Sequence, residues 1–336
     1  MHSPPEGLGN ARVAAALSEG WGLEPSALDH LPLGFGSYHW RAEAGGSWFV
    51  TVDDLTAKRS RRDDPPEATW QRLSAALATA RALADAGHAF VAAPRRTDTG
   101  DVLWRVDDRY ALALYEWVEG ETHVWGAYPG RRERLAVLDL LVALHGVPAA
   151  VCSTARVDDL AIAYRDRLTA ALEDLAGPWD SGPYGERARR LLDRHAGPLT
   201  AALDRYDDGA AALAREGAAL VVTHGEPHQA NTITTAEGLV LIDWDTALLS
   251  YPERDLWALE REDPAILDVY AARTGLRPRA SALDLYARRW DLTDVAIYAG
   301  RFHAPHRESD DSRLAFEYLG YYLGTCAPLD RPLSGP

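Results

Sequence analysis

The feature that most constrains the fold of this chain is a short group of predicted strands inside a stretch that is otherwise helical. The segment 219–242 contains the runs "ALVVTHG" and "NTITT" and the first part of the run "GLVLIDWD". These runs are rich in β-branched residues and are separated by polar loops. Leucine and alanine recur at helical spacing before this segment, at residues 131–145, 160–175 and 188–206, and again at residues 283–301. A strand hairpin embedded in a helical lobe is an uncommon arrangement, so few known fold architectures are compatible with this sequence.

The N-terminal part of the chain follows a different pattern. Residues 31–40 and 47–52 predict two antiparallel strands joined by a glycine turn. A helix is predicted over about residues 67–86, where apolar residues recur at helical spacing between an opening pair of prolines and a closing glycine. Further strands are predicted at residues 89–94, 101–106 and 109–121. This part therefore forms a sheet with a helix.

Together the two patterns predict an α+β fold of two lobes. We expect residues 1–115 to form a small lobe rich in strands, residues 116–120 to form a linker, and residues 121–336 to form a larger, mainly helical lobe with the hairpin. The length of 336 residues suits this division, because a single hydrophobic core stops growing at about 250–300 residues.

Composition excludes several classes of protein. Hydrophobic residues make up 47% and charged residues 25%, and no apolar run is long enough to span a membrane, so we expect a soluble protein. The formal charge of -15 argues against a nucleic-acid partner and suits a cationic small molecule. The start of the chain lacks the basic and apolar regions of a secretory signal, which predicts a cytoplasmic location. Cys152 and Cys326 are the two cysteines, and we interpret both as structural.

The loop "THGEPHQAN" between two of the strands carries His224, Glu226, His228 and Asn231 within eight residues. A zinc site of the helical metalloprotease type is disfavoured, because Gly225 separates the first histidine from the glutamate and the following proline breaks a helix. A polar loop held by local side-chain bonds is a second interpretation. The third is phosphoryl transfer, with Glu226, His224 and His228 as candidate catalytic residues.

The next strand favours phosphoryl transfer. "LVLIDWD" is an apolar run that ends in Asp243, twelve residues after Asn231. Kinases require a carboxylate beside the attacking hydroxyl, an asparagine five residues later for Mg²⁺, and an aspartate at the end of a following strand for the metal that bridges the phosphates. Glu226, Asn231 and Asp243 have these offsets, and Asn231 and Asp243 are therefore the candidate ligands of Mg²⁺.

The series "HGEPHQAN", "LIDWD" and "PERDL" resembles the His-Gly-Asp-x-His-x-x-Asn, Ile-Asp-Trp and x-x-Asp-Leu motifs of the aminoglycoside phosphotransferase and choline kinase family. The resemblance implies a protein-kinase-like fold over roughly residues 31–322. It implies that His224 braces the catalytic loop, that Glu226 stands in the position of the base, and that Asp255 is a buried structural aspartate.

Two positions depart from the family pattern. Glu226 stands where the family has aspartate, so its carboxylate reaches on the order of 1 Å further, and the neighbouring Pro227 is a candidate for the compensating backbone change. Thr51 stands where the family has a strand lysine, and Glu67 is the candidate for the helix glutamate that pairs with that lysine. A hydroxyl cannot replace a cation there.

A basic run, "KRSRR", follows the strand that carries Thr51. It contains Lys58, the single lysine of the chain, and one of its cations could reach into the site. A basic run before a helix is more typical of a solvated connector.

The remaining candidates are ligand contacts. Gly34, Gly36 and Ser37 in "LGFGSY" either cover the phosphates with main-chain N–H groups or form an ordinary turn. Glu116 and Val118 belong to the predicted linker, whose main chain would bind adenine. The candidate acceptor contacts are acidic or aromatic side chains near the C-terminal helices, which alternatively belong to the surface or the core: Asp294, Asp291, Glu262, Asp263, Trp257, Trp290 and Tyr298.

The sequence therefore predicts a kinase that uses ATP or GTP with Mg²⁺ to phosphorylate a small hydroxylated and cationic molecule, such as an aminoglycoside or a related antibiotic. A metabolic kinase of an amino alcohol or sugar is the alternative within the same fold. A catalytically silent protein that binds a nucleotide or ligand is the alternative from another class, because Thr51 and Glu226 replace the usual residues. Monomer and dimer both remain open.

Overall fold

A computed structural model of the chain describes residues 4–34 and 36–325, and Cys326 lies outside them. In the N-terminal part, α1 (Asn10–Trp21) precedes the sheet and α2 (Pro66–Asp85) follows its third strand. The strands are antiparallel and ordered β1-β2-β3-β5-β4. They are β1 (Ala27–Leu31), β2 (Ser37–Glu43), β3 (Ser47–Asp54), β4 (Trp104–Arg105) and β5 (Tyr110–Glu116).

The two faces of this sheet are covered by different helices. Val50 and Val52 of β3 pack against Val13 and Leu17 of α1 in one buried cluster. Ala111 and Ala113 of β5 belong to a second cluster with leucines of α2 on the other face. The sequence analysis did not identify α1, although Val13, Leu17 and Trp21 recur at helical spacing.

The C-terminal part is mainly helical. Its helices are α3 (Arg131–His145), α4 (Arg165–Glu173), α5 (Gly185–Glu216), α6 (Glu253–Glu262), α7 (Ile266–Thr274), α8 (Ala280–His303) and α9 (Asp310–Thr325). Its short strands are β6 (Glu121–Thr122), β7 (Val221–Thr223), β8 (Thr232–Thr234), β9 (Leu239–Leu241) and β10 (Leu248–Ser250). They form the antiparallel sheets β6-β8-β9 and β10-β7 within the helical lobe, and Cys152 is buried in the core around them. The predicted α+β fold with a hairpin inside a helical lobe is confirmed.

Several boundaries differ from the sequence prediction, and the strand predicted at residues 31–40 begins only at Ser37, as β2. Residues 89–94 form no strand beyond a single bridge, in which the N–H of Leu241 donates to the carbonyl of Phe90 at 2.7 Å. The helix predicted from residue 160 begins at Arg165, because Leu160 and Tyr164 have φ of 57° and 62°, outside the helical region. The helix predicted at residues 188–206 extends over the whole of α5.

The linker predicted at residues 116–120 joins the N-terminal sheet to β6 of the hairpin sheet. A side chain at Gly120 would place its Cβ 2.6 Å from Cγ2 of Ile233 and from the carbonyl oxygen of Thr234. Glycine is therefore required where the linker crosses the hairpin. In the described part of the chain, none of the helices combines the length and apolar character that a membrane span needs.

Candidate active site

The loop that follows β7 is held by one buried carboxylate. The main-chain N–H groups of His224 and Gly225 donate to the Oδ2 and Oδ1 atoms of Asp255 at 2.8 and 2.6 Å, and Nε2 of His145 lies 3.2 Å from Oδ2. Burial by itself would raise the pKa of Asp255, but the hydrogen bond from His145 and the nearby charge of Arg254 outweigh it and lower the pKa. Asp255 therefore remains ionised and fixes the start of the loop.

Arg254 fixes the same turn from the other side. Its Nη1 donates to Oγ1 of Thr223 at 2.8 Å, and its Nη2 donates to the carbonyl of Thr246 at 2.8 Å. Gly225 has φ of +103°, and a Cβ there would lie 2.6 Å from Cζ of Arg254. Only glycine provides both the backbone conformation and the space at this position.

His224 connects the loop to the strand β9. Its Nε2 donates to the carbonyl of Ile242 at 2.9 Å, and its Nδ1 accepts from the main-chain N–H of Glu226 at 3.2 Å. Burial lowers the pKa of His224, so the ring is neutral and one nitrogen can accept while the other donates. The histidine thus positions the main chain of Glu226 relative to the strand that ends at Asp243.

Glu226 and Asn231 are joined directly. Nδ2 of Asn231 donates to the main-chain oxygen of Glu226 at 3.0 Å and lies 3.2 Å from Nε2 of His228. The Glu226 side chain is 34% exposed and opens into a cleft, and its Oε2 lies 3.8 Å from Nε2 of His228. The three residues therefore form one connected group with an accessible carboxylate.

Asp243 lies beside Asn231 because the N–H of Ile242 donates to the carbonyl of Asn231 at 3.0 Å across the hairpin. The backbone of Asp243 has φ of 64°, in the left-handed region. Desolvation in the cleft and the charges of Asp245 and Glu226 raise the pKa of Asp243 well above its usual range. A cation bound here would relieve this repulsion.

The donor set suits Mg²⁺ better than a transition metal. The described residues contain no group of three or more His, Cys, Asp or Glu side chains that could hold a metal ion by themselves. Mg²⁺ is commonly held by one or two carboxylates together with phosphate oxygens and water. Asp243 and the amide oxygen of Asn231, whose nitrogen carries the contacts described above, fit that pattern.

The structure separates Lys58 from the rest of the basic run, in which Arg61 and Arg62 are exposed as a solvated connector predicts. Nζ of Lys58 lies 2.6 Å from Oδ1 of Asp53 and 2.7 Å from Oδ2 of Asp245, and the lysine side chain is only 18% exposed. Oγ of Ser37 donates to the same Oδ1 of Asp53 at 2.6 Å. Burial alone would lower the pKa of Lys58, but Asp245 and Asp53 outweigh it and raise the pKa, so the ammonium stays charged.

The predicted partner of a strand lysine is also corrected. Glu67 lies at the exposed start of α2, and its Oε2 accepts from Nη2 of Arg105 at 2.6 Å. Thr51 lies in β3 opposite His39 and Ala113. Glu67 does not face the cleft, because the first turn of the helix points its side chain toward solvent and β4.

The glycine-rich segment forms the turn between β1 and β2. Gly34 and Gly36 have φ of 59° and 94°, and Ser37 is the first residue of β2. At the other end of the sheet, Glu116 is the exposed last residue of β5, and Val118 is half-buried in the linker. The turn and the linker therefore border the cleft at opposite ends of the strands.

A small, open pocket lies beside Glu226. Trp290 and Trp257, which were predicted to contact the acceptor, line the pocket. Trp125 and Tyr128 also line it and were not predicted. Trp125 stacks on Trp290 at 5.7 Å with an angle of 15° between the rings. Four large aromatic side chains therefore contribute to the walls of the pocket.

The acidic acceptor candidates have different surroundings. Glu262 lines the pocket, but its Oε2 lies 3.1 Å from Nη1 of Arg134, and Asp263 is ion-paired with Arg131. Both acids therefore already have an arginine as ion-pair partner.

The other two acids lie on α8, where Asp291 is buried and Asp294 is half-buried one helical turn after Trp290. Burial, opposed by a hydrogen bond with Tyr322, raises the pKa of Asp294 to about 8. The third aromatic candidate, Tyr298, stacks on Tyr318 and Tyr322 and does not line the pocket.

The fold and the site together define a kinase-like phosphotransferase that acts on small molecules. The chain belongs to the phosphotransferase enzyme family (APH), whose model matches residues 34–290. It is 28% identical over 313 residues to protein StrN of Streptomyces griseus, covering 89% of this chain and 87% of that protein.

Solved structures share the fold at low identity. Spectinomycin phosphotransferase APH(9)-Ia, in complex with ADP and spectinomycin, is 14% identical with a TM-score of 0.70 and covers 96% of this chain and 98% of its own. An amicoumacin kinase in complex with AMP-PNP and Ca²⁺ is 13% identical with a TM-score of 0.55, covering 97% of this chain and 95% of its own. The suspected family and its kinase-like fold are thereby confirmed.

Proposed function

We propose that this protein transfers the γ-phosphate of ATP or GTP, with Mg²⁺, to a hydroxyl group of a small aminated molecule such as an aminoglycoside or a related antibiotic. The observation that carries the proposal is the connected group of Glu226, Asn231 and Asp243. Asn231 contacts the main chain of Glu226 and that of Ile242, the residue before Asp243. A polar loop without a catalytic role has no need for this arrangement.

Glu226 is the candidate for the residue that receives the acceptor hydroxyl. Its accessible carboxylate would orient the hydroxyl and accept its proton as the oxygen attacks the γ-phosphorus and the bond to the leaving diphosphate breaks. His224 and Asp255 fix the main chain of this residue, so the longer side chain projects from a rigid position. Mg²⁺, when bound at Asn231 and Asp243, would neutralise charge on the β and γ phosphates.

The pocket beside Glu226 indicates the acceptor. Its aromatic walls favour a molecule with an apolar ring face, or a ring that carries an ammonium group, since ammonium groups bind to the faces of tryptophan rings. Burial raises the pKa of Asp294, one helical turn after Trp290, to about 8, and an ammonium bound nearby would favour its ionised form. Binding of an aminated acceptor at pH 7 would therefore release a proton.

The test is a phosphate-transfer assay with mass-spectrometric detection. The protein is incubated with Mg²⁺ and either ATP or GTP against aminated antibiotics, amino alcohols and uncharged sugars. We expect transfer to an aminated antibiotic, and we expect Glu226→Gln to lower turnover by about 10²–10⁴-fold while nucleotide binding persists. Glu237→Gln, an exposed glutamate on the turn between β8 and β9, is the matched control and leaves turnover unchanged.

Each other outcome favours a different function. Transfer restricted to amino alcohols or uncharged sugars would support a metabolic kinase. Thermal stabilisation by Mg-ATP without transfer to any compound would support a silent nucleotide-binding protein, which Thr51 in the place of the strand lysine already suggests. Full turnover by Glu226→Gln would refute the role of Glu226.

A further inference from the structure

Lys58 reaches Asp245 beside the catalytic hairpin, although it comes from outside the strand that normally supplies a lysine. The chain turns back directly after β3, because Oδ1 of Asp54 accepts the N–H groups of Thr56 and Ala57 at 2.9 and 3.0 Å. The N–H of Lys58 donates to the carbonyl of Asp54 at 2.9 Å and completes the turn. This turn directs the lysine side chain toward the catalytic hairpin rather than toward solvent.

The position of the ammonium group is defined from two sides. On one side, a Cβ added to Gly36 would lie 4.0 Å from Cε of Lys58, so the lysine stem passes directly beneath the glycine turn. On the other side, Nζ lies 2.7 Å from Asp245, two residues after Asp243. A nucleotide phosphate chain that extends from the glycine turn to Asp243 must pass this ammonium.

We propose that Lys58 is the cation that binds the nucleotide phosphates in this protein, in place of the lysine that is missing at Thr51. The inference rests on the proposed nucleotide-dependent function. An ammonium has three N–H donors, and the described residues engage two of them through Asp53 and Asp245. The third donor is available to a phosphate oxygen.

The charges around Lys58 add a condition to this binding. Asp53 and Asp245 contact the ammonium and Asp243 lies close enough to act on it, so carboxyl groups are in excess over the single cation. A divalent cation at Asp243 would cancel this excess, after which the field at Lys58 favours an anion. Phosphate binding should therefore require the metal and Lys58 together.

The competing interpretation is a purely structural ion pair. Asp53 belongs to the N-terminal sheet and Asp245 to the C-terminal lobe, so Lys58 also joins the two lobes. A structural clamp would stabilise the protein whatever ligand is present. A phosphate contact instead affects only ligands that carry phosphates.

The experiment measures nucleotide affinity by calorimetry with Mg²⁺, using ATP, AMP and adenosine. We expect Lys58→Met to weaken ATP binding by about tenfold to a hundredfold, as the loss of a charged hydrogen bond does, and to leave adenosine binding unchanged. Without Mg²⁺, the difference between wild type and variant should largely disappear. Arg61→Met, which removes one exposed charge from the same basic run, is the matched control and should bind ATP like the wild type.

Restoring a lysine at the strand position gives a second readout. Thr51 lies two residues before Asp53 on the same face of β3, so Lys58→Met combined with Thr51→Lys should regain part of the lost ATP affinity. If Lys58→Met does not fold, Lys58→Gln removes the charge while keeping a donor for the carboxylates and allows the same comparison.

The possible failures are distinguishable. Equal loss of affinity for adenosine and ATP together with a lower unfolding temperature would show a structural clamp, and unchanged ATP affinity would refute the proposal outright. If the wild-type protein binds neither ATP nor GTP, the proposed function itself is wrong.

Discussion

Asp255 offers the sharpest test of how the catalytic loop is held. Asp255→Asn keeps the size of the side chain but replaces one acceptor oxygen by an N–H₂ group. In the wild type, three donors meet the carboxylate: the N–H of His224, the N–H of Gly225 and His145. In the variant, one of them faces the new N–H₂ group instead of an acceptor. A buried donor without an acceptor costs about 1–3 kcal/mol. Weakening the remaining bonds from charged to neutral adds roughly 1 kcal/mol.

We therefore expect Asp255→Asn to lower the free energy of unfolding by about 2–4 kcal/mol. Urea unfolding followed by circular dichroism measures this value at pH 7. Asp268→Asn, at an exposed position of α7, is the control and should stay within about 0.5 kcal/mol of the wild type.

The difference in unfolding free energy between the wild type and Asp255→Asn should also depend on pH. The pKa of Asp255 is lowered in the folded protein, so its stabilisation is fully present above the ordinary value of 3.8 and is lost as the pH falls through the folded pKa. The gap between wild type and Asp255→Asn should accordingly narrow below pH 4. A variant as stable as the wild type at pH 7 would refute the view that Asp255 supports the loop.

Three further predictions concern the loop and the pocket. Gly225→Ala should lower both the unfolding temperature and turnover, because its Cβ would overlap Arg254 at a positive φ; an unchanged melting curve would contradict this. Trp290→Ala should raise the KM for the acceptor by about tenfold or more without changing the KM for the nucleotide, measured by steady-state kinetics, because it removes a stacking wall. The free energy of unfolding should decline less steeply between pH 4 and pH 8 in Asp294→Asn than in the wild type. The pKa of Asp294 is raised to about 8 in the folded protein, so the folded state binds more protons than the unfolded state and loses stability as the pH rises. An identical decline in both proteins would show that Asp294 is not the titrating group.

The sequence predicted well what depends on local spacing. The bounds of α3 agree at both ends, because the apolar period is regular and a glycine follows the last turn. The loop from His224 to Asn231 was placed correctly after a short strand and before another, because runs rich in β-branched residues flank it. These features can be recognised in the sequence without knowledge of the tertiary structure.

What could not be predicted depends on contacts between distant segments. The direction of Lys58 is set by a turn at Asp54 and by acids on another lobe, and the sequence shows only a basic run. Glu67 was assigned by its position on a helix, but its partner is decided by the approach of β4. Trp125 reaches the pocket through an irregular loop, where no periodic pattern marks a wall.

That loop is fastened to the catalytic loop at two points. Nε2 of Gln229 donates to the carbonyl of Val124 at 2.8 Å, and the hydroxyl of Tyr128 donates to the carbonyl of Pro227 at 2.7 Å. If the proposed function holds, a change in the pocket loop would therefore reach the loop that carries Glu226, and acceptor selectivity and turnover would change together. Random mutagenesis of the whole pocket loop would disturb Pro227, the residue beside Glu226. Substituting Trp125 alone, with both hydrogen bonds retained, would change the shape of the pocket and leave the position of Glu226 unchanged.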